Sequence, residues 1–389
     1  MKFQLVVATF LLSSNFVFAE DHPGKAIYQA HCESCHGGTV SKAPQLSLLN
    51  IMAASSVYAS LDSGVMREQA AALSDNQRRD VAEFLTGQTL DAVSGPVLPP
   101  SCTGSAASFD FDAPPHTAAW GVGLGNERRF SPELTDINID NIAKLRLKWA
   151  FAYPDAVRAR SQPAMAGGSI FVGSQNGTVF SLDEDSGCLR WTFKTTAEVR
   201  TGIVVSPWGA GESATPLLYF GDIVGNIYAV NAVNGELVWR DRADDHPSLT
   251  LTAAPTLHEG RLYVPLSALE VTAAANPDYP CCTFRGGVAV YNAGSGEKLW
   301  TAYTIDQEPK EVGKNSVGTP RIAPSGAPVW NTPALDPKRG VMYVGTGTNY
   351  SSPANDTSDA ILALDLKDGR IRWHQQMTKG DAWNMGCET

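Results

Sequence analysis

Four stretches of the chain share one design: GTVFSLDEDSGCLRW (177–191), GNIYAVNAVNGELVW (225–239), GGVAVYNAGSGEKLW (286–300) and DAILALDLKDGRIRW (359–373). In each, an alternating apolar run enters an Asn/Asp/Gly turn and a short second run closes on tryptophan, the pattern of a β-hairpin. A glycine stands four residues before each tryptophan: Gly187 before Trp191, Gly235 before Trp239, Gly296 before Trp300, Gly369 before Trp373. Three copies have another strand-like run upstream that ends in glycine (SIFVG, LLYFG, VMYVG); the third copy's counterpart, RLYVP, lies farther back behind an insertion. Four-stranded units repeating at 48, 61 and 73 residues, counted between tryptophans, predict propeller blades, because one blade cannot bury both its faces. Unrelated hairpins of a sandwich would not keep Gly and Trp in register four times.

NIAKLRLKW, ending at Trp149, has the form of a closing strand without the unit before it. An N-terminal strand of that kind completes the last blade of a closed ring. The chain reaches Thr389 sixteen residues after the fourth repeat, and four blades with one closing strand do not make a ring. The expectation is a fragment of a longer propeller.

Upstream the texture changes. Residues 20–88 read as helices: GKAIYQAH opens a run without interior proline, and Ser74 with Gln77 has capping-box form. Val81, Phe84 and Leu85 give that last helix an apolar face, and Gly87 stops it. Residues 89–118, with Pro96, Pro99, Pro100, Pro114 and Pro115, read as a linker. Residues 1–19 carry Lys2, a short apolar run and small Val17 and Ala19 at the −3 and −1 places, as a cleaved signal peptide does. No other stretch has the roughly 20 clean apolar residues of a membrane span, so the expected product is periplasmic or secreted.

The composition agrees with a folded exported protein. Of 389 residues, 43% are hydrophobic and 9% aromatic, and the net charge is −10 without a basic block. That argues against disorder and against a nucleic-acid partner. In an oxidising compartment the seven cysteines pair or carry cofactors. Cys102 and Cys188 are candidates to bridge the linker to the first blade, and Cys387 is the expected odd thiol.

Cys32-Glu33-Ser34-Cys35-His36 is the haem c attachment pattern. Two thiols one helical turn apart add to the haem vinyl groups, and the adjacent imidazole ligates iron. Zinc would need a second ligand pair, and none lies nearby. Met66, just ahead of the last helix, is the candidate sixth ligand, with Met52 as the other choice.

A cytochrome c module followed by Gly-x-x-x-Trp propeller repeats resembles the PQQ-dependent quinohaemoprotein alcohol dehydrogenases, and most of all their cytochrome-linked polyvinyl-alcohol-oxidising branch. FSPELTDINIDNIAKLRLKWAF (130–151), YPCCTFRGGVAVYNAGSGEKLW, SGAPVWNTPALDPKRGVMYVGTGTNY and GDAWNMGC carry the likeness, which covers the mature chain. The resemblance implies a small all-α cytochrome c domain (20–88), then about half of an eight-bladed all-β propeller (119–389). It implies oxidation of a secondary alcohol to a ketone, with PQQ and calcium (Ca2+) in the propeller and haem c passing electrons to a cytochrome c or another acceptor. The fragment alone is expected to be inactive. A quinoprotein acting on a sugar, aldehyde or small alcohol is the near alternative, and a non-enzymatic propeller scaffold tied to an electron carrier is the distant one.

Position by position, Trp330 matches the tryptophan that stacks on the quinone, and Arg200 an arginine that pairs with a PQQ carboxylate. Asn349 lies beside the place of a calcium-binding asparagine. Each has an ordinary alternative: a packed propeller tryptophan, a surface arginine, a turn asparagine. Two departures stand out. The vicinal pair Cys281-Cys282 falls in another blade from the one that carries it in methanol-dehydrogenase relatives, where Lys194 and Thr195 stand here. It either serves the same ring as a vicinal disulfide or holds two separate thiols. Asn384 replaces the aspartate that follows tryptophan in relatives, and an amide takes no proton near neutral pH, so the candidate catalytic base is Asp381 or a residue of the missing portion.

Overall fold

A computed structural model of the chain describes residues 22–38, 40, 43–90, 98–115, 120–133, 135–156, 158–209 and 215–386. The signal-peptide reading and Cys387 fall outside the described residues.

The helical domain comprises α1 (Pro23–His31), α2 (Glu33–His36), α3 (Leu46–Leu49), α4 (Ala54–Asp62) and α5 (Asp75–Thr86). Proline at its first position and the His22 imidazole, which accepts from the Gly24 N–H, start α1. The run expected as one helix through His36 breaks at Cys32, whose backbone leaves helical geometry. The capping box on α5 is formed in both directions by Ser74 and Gln77, and Gly87 ends the helix with φ +63°. Tyr28, Leu49, Val57, Leu61, Val81 and Leu85 form the core.

Four antiparallel units follow, three of four strands and the third with a fifth strand added, their main paths ordered as in the chain. The first holds β1 (Ala164–Ala166), β2 (Ser169–Gly173), β3 (Thr178–Asp183) and β4 (Leu189–Lys194). The second holds β5 (Val204–Val205), β6 (Leu217–Gly221), β7 (Asn226–Asn231) and β8 (Leu237–Arg242). In the third, β9 (Leu249–Thr250) pairs with the far end of β11 (Arg261–Ala268), beside β10 (Thr256–His258), β12 (Gly287–Asn292) and β13 (Lys298–Tyr303). A short helix, α6 (Glu270–Ala273), sits between β11 and β12. A separate hairpin, β14 (Lys310–Lys314) and β15 (Pro320–Ala323), precedes the fourth unit: β16 (Ala334–Asp336), β17 (Val341–Gly345), β18 (Ala360–Asp365) and β19 (Ile371–Gln376).

Apolar cores lie between consecutive units. Phe171 and Val179 meet Leu218 and Phe220, Tyr219 and Ile227 meet Leu262 and Val264, and Val288 and Val290 meet Met342 and Leu362. The repeated Gly and Trp explain the stacking. Each glycine has positive φ in the turn before the outer strand and lies against the preceding unit's indole: Gly187 on Trp149, Gly235 on Trp191, Gly296 on Trp239, Gly369 on Trp300. The indole N–H groups of Trp149, Trp191 and Trp239 donate to Glu184, Ala232 and Ala293 carbonyls in those same turns.

Two expectations take a different form. The 141–149 segment pairs in no strand, and Leu145 and Leu147 are exposed, yet Trp149, Phe151 and Tyr153 cover Phe180 and Leu182 of the first unit. The 89–118 segment is more than a tether. Leu189 N–H donates to the Pro100 carbonyl, and Cys102 N–H donates to the Leu189 carbonyl, so residues 100–102 run alongside β4. A Cys102–Cys188 disulfide closes that contact.

Candidate cofactor and electron-transfer site

The strand order sorts the connections to two ends. The Gly-bearing turns before each outer strand occupy one end. The loops between second and third strands, and the connections from one unit to the next, occupy the other. Every candidate propeller residue belongs to the second set: Arg200 on the β4–β5 connection, Cys281 and Cys282 between β11 and β12, Trp330 on the β13–β16 connection, Asn349 between β17 and β18, and Asp381 after β19. The helical domain contacts this same end. Ala197, Ile223 and Val224 join its core, Ser56 Oγ donates to the Asn176 carbonyl, and Arg158 donates to the Ile51 carbonyl at 2.6 Å.

At the haem motif, Cys32 and Cys35 are unpaired, Cys35 exposed. The His36 Nδ1 donates to the Pro44 carbonyl at 2.6 Å, which orients the ring and leaves Nε2 for a metal. Thiols free to form thioethers and an imidazole held by its far nitrogen fit haem c. Met66 packs against the helical core, and Met52 is buried in it.

Cys281 and Cys282 form a vicinal disulfide. Its clasp is the β14–β15 hairpin: Cys282 N–H donates to the Ile322 carbonyl, and Ile322 N–H to the Cys281 carbonyl. Cys282 Sγ lies 3.9 Å from the Tyr350 carbonyl, which also accepts from Asn384 Nδ2 at 2.8 Å. Asn384 Oδ1 accepts from Gly386 N–H, so this amide is fully engaged. A cavity of about 210 Å³ beside the disulfide is lined by Tyr279, Cys281, Asn315, Arg321 and Asn384, among others. Where relatives carry the vicinal pair, Lys194 Nζ donates to the Asn176 carbonyl and Thr195 Oγ1 is bonded to the Gly177 and Ala197 carbonyls.

Trp330 is 63% exposed, so the packed-tryptophan alternative does not describe it. Its indole lies against Gly347, where a Cβ would come within 3.2 Å of Nε1. Asn349 is fully buried; its Oδ1 accepts from Asn355 N–H and its Nδ2 donates to the Ser325 carbonyl. That amide organises the loop, and its Oδ1, with one N–H donor, keeps a second lone pair. Among the described residues no cluster of three or more His, Cys, Asp or Glu frames a metal. Arg200 stands apart from this group. Its guanidinium is half-buried, and burial, then the nearby Arg160 charge, lowers its pKa, while Glu198 opposes. Glu198 is buried and held by Arg158 through both carboxylate oxygens, at 2.6 and 3.3 Å.

Near Asp381 the structure adds a carboxylate that motif reading misses. Asp359 Oδ2 is buried without a hydrogen-bond partner, and burial, then the Asp381 charge, pushes its carboxyl up. Its N–H donates to the Gly347 carbonyl, beside the Trp330 indole. Only its positive φ of +46° sets it apart, and no spacing rule marks that.

The glucose/ethanol/alcohol dehydrogenase β-propeller family profile matches residues 119–389, and a cbb3-type cytochrome c oxidase subunit III profile matches residues 19–85. A polyvinylalcohol dehydrogenase of Pseudomonas sp. is 32% identical over 94% of this chain and 58% of its own length. One from Sphingopyxis sp. is 31% identical over 96% and 59%. The chain therefore spans under two thirds of these relatives. Among solved structures, the quinohemoprotein alcohol dehydrogenase of Comamonas testosteroni superposes with a TM-score of 0.52 at 22% identity, covering 69% of this chain and 42% of that one. ADHIIG of Pseudomonas putida HK5 gives 0.53 at 22%, covering 74% and 44%. These likenesses are of fold: a small helical cytochrome domain ahead of a quinoprotein-type β-propeller.

Proposed function

The chain belongs to the PQQ-type glucose/ethanol/alcohol dehydrogenase family of β-propellers, with a cytochrome domain ahead of the propeller, and on that premise we propose that it serves the PQQ- and haem c-dependent oxidation of secondary alcohol groups, polyvinyl alcohol foremost, to ketones in the periplasm. The observation that carries this reading is that Trp330, the Cys281–Cys282 disulfide and Asp381, with Arg200 apart from them, all belong to connections at the one propeller end that the helical domain contacts.

When bound, PQQ supplies a two-electron oxidant and haem c a one-electron carrier towards an external acceptor. The exposed Trp330 indole offers a flat stacking face. The half-buried Arg200 guanidinium answers an anionic carboxylate more strongly than a solvated one would. The disulfide ring adds an apolar wall. Asp381 accepts the hydroxyl proton of the alcohol, and Asp359, its oxygen unpartnered, is the carboxylate that shares that proton; Asn384, an amide committed to Tyr350 and Gly386, does not. His36 would hold the haem iron through Nε2, the nitrogen left free by the Pro44 contact, and Met66 would supply a thioether to it.

The test uses protein extended to the length of the polyvinylalcohol dehydrogenase relatives and loaded with haem and PQQ. Adding polyvinyl alcohol is expected to produce the reduced-haem absorbance bands, and Trp330→Ala to weaken PQQ retention. Reduction by small alcohols, sugars or aldehydes but not by the polymer would overturn the substrate. Reduction by none of them would favour a scaffold.

A further inference from the structure

Glu270 has no solvent exposure. A buried carboxylate costs several kcal/mol unless its lone pairs are met, and here they are. Thr283 N–H donates at 2.8 Å and Phe284 N–H at 2.8 Å. Thr283 Oγ1 donates at 3.2 Å and the Tyr279 hydroxyl at 3.0 Å, and His246 Nε2 lies at 3.7 Å. Two of these donors are the backbone groups directly following Cys281–Cys282. The anion therefore holds the disulfide turn from behind.

Its Tyr279 arm reaches the other domain. The Tyr279 hydroxyl accepts from Gln45 Nε2 at 3.3 Å, and Gln45 Oε1 accepts from Ser248 Oγ at 2.9 Å. Gln45 is buried and follows Pro44, whose carbonyl orients His36. Gly38, two residues after His36 with φ +99°, lies against the same pair: a Cβ there would sit 3.0 Å from Gln45 Nε2 and 3.5 Å from Tyr279 Cε2. Two points of the segment that follows His36, Gly38 and Gln45, thus meet Tyr279.

We infer that Glu270 is a positioning residue that, through Tyr279 and Gln45, locks the His36 loop and the Cys281–Cys282 turn into one hydrogen-bonded frame and so fixes the separation of haem from the propeller redox site. This assignment rests on the proposed function for its purpose, but the frame can be tested without alcohol or PQQ.

The test takes the haem-loaded chain and the variant Tyr279→Phe, which removes one hydroxyl and leaves the ring, with Gln45→Leu and Glu270→Gln alongside. Amide exchange at residues 281–284 and at 36–45 is expected to quicken together by about tenfold in each, the change expected on losing an ordinary hydrogen bond, and the haem midpoint potential to move in the same order. Quickened exchange confined to 281–284, with the potential and residues 36–45 at wild-type values, would overturn the link between domains. Failure of all alcohols to reduce haem in the extended protein would overturn the proposed function and leave the coupled exchange intact.

Discussion

Gly235 leaves room for the indole of Trp191: a Cβ on it would come within 2.7 Å of Trp191 Cε3. Its φ of +77° places it in a region that L side chains rarely adopt. Gly235→Ala is therefore expected to combine backbone strain with a clash between neighbouring units and to destabilise the propeller by about 2–4 kcal/mol. Gly260, with φ +72° and open space where a Cβ would stand, is the control, and Gly260→Ala should cost only the backbone share of about 1 kcal/mol. Urea titration of both variants checks the difference; equal losses would show that indole contact contributes nothing.

Arg158 meets both oxygens of the Glu198 carboxylate, whose side chain is 1% exposed. Arg158→Met leaves that charge buried without its partner and should destabilise by about 3–5 kcal/mol. The double change to Arg158→Met with Glu198→Met is expected to recover much of it. A thermodynamic cycle with no coupling would contradict the pairing.

Cys102–Cys188 joins residues 86 apart in sequence, and the backbone bonds at Pro100, Cys102 and Leu189 surround it. Cys188→Ser should lower stability by about 2–5 kcal/mol, through the freedom regained by the unfolded chain. Limited proteolysis should then cut the 98–113 segment, which resists in the wild type. An unchanged digestion pattern would mean that the backbone pairing suffices.

Glu270 also gives a pH signature. Burial alone would raise its carboxyl, but His246, with the Phe284 and Thr283 N–H groups, outweighs burial and holds it below the ordinary carboxylate value. The folded state binds this proton less readily than the unfolded chain does. The resulting stability is present above the ordinary carboxylate pKa, about 4.3, and is lost as pH falls through the lower folded value. The stability gap between wild type and Glu270→Gln should therefore be constant near neutrality and shrink in acid. Urea midpoints across a pH series measure it, and a gap that does not change with pH would remove Glu270 from acid sensitivity.

The blades are legible in the chain because each repeats a local event: an alternating strand, a glycine with positive φ and a tryptophan fall within fifteen residues. The haem motif is legible for the same reason, with thiols and imidazole in five consecutive residues. What escapes sequence reading is built from distant partners. The clasp on Cys281–Cys282 comes from Ile322, across a hairpin whose exposed β14 has no distinctive alternation. Glu270 lies in SALEVTAAA, which reads as an ordinary helix start; only burial and four donors mark it. Residues 100–102 look like a proline-rich connector, because pairing with one edge strand needs no periodic pattern.

The glycine-on-indole contacts have a direction. Trp149, Trp191, Trp239 and Trp300 are each received by the turn of the unit that comes after them in the chain. A polypeptide that emerges amino end first can thus complete these four contacts in order of arrival, each new segment recognising a surface already waiting.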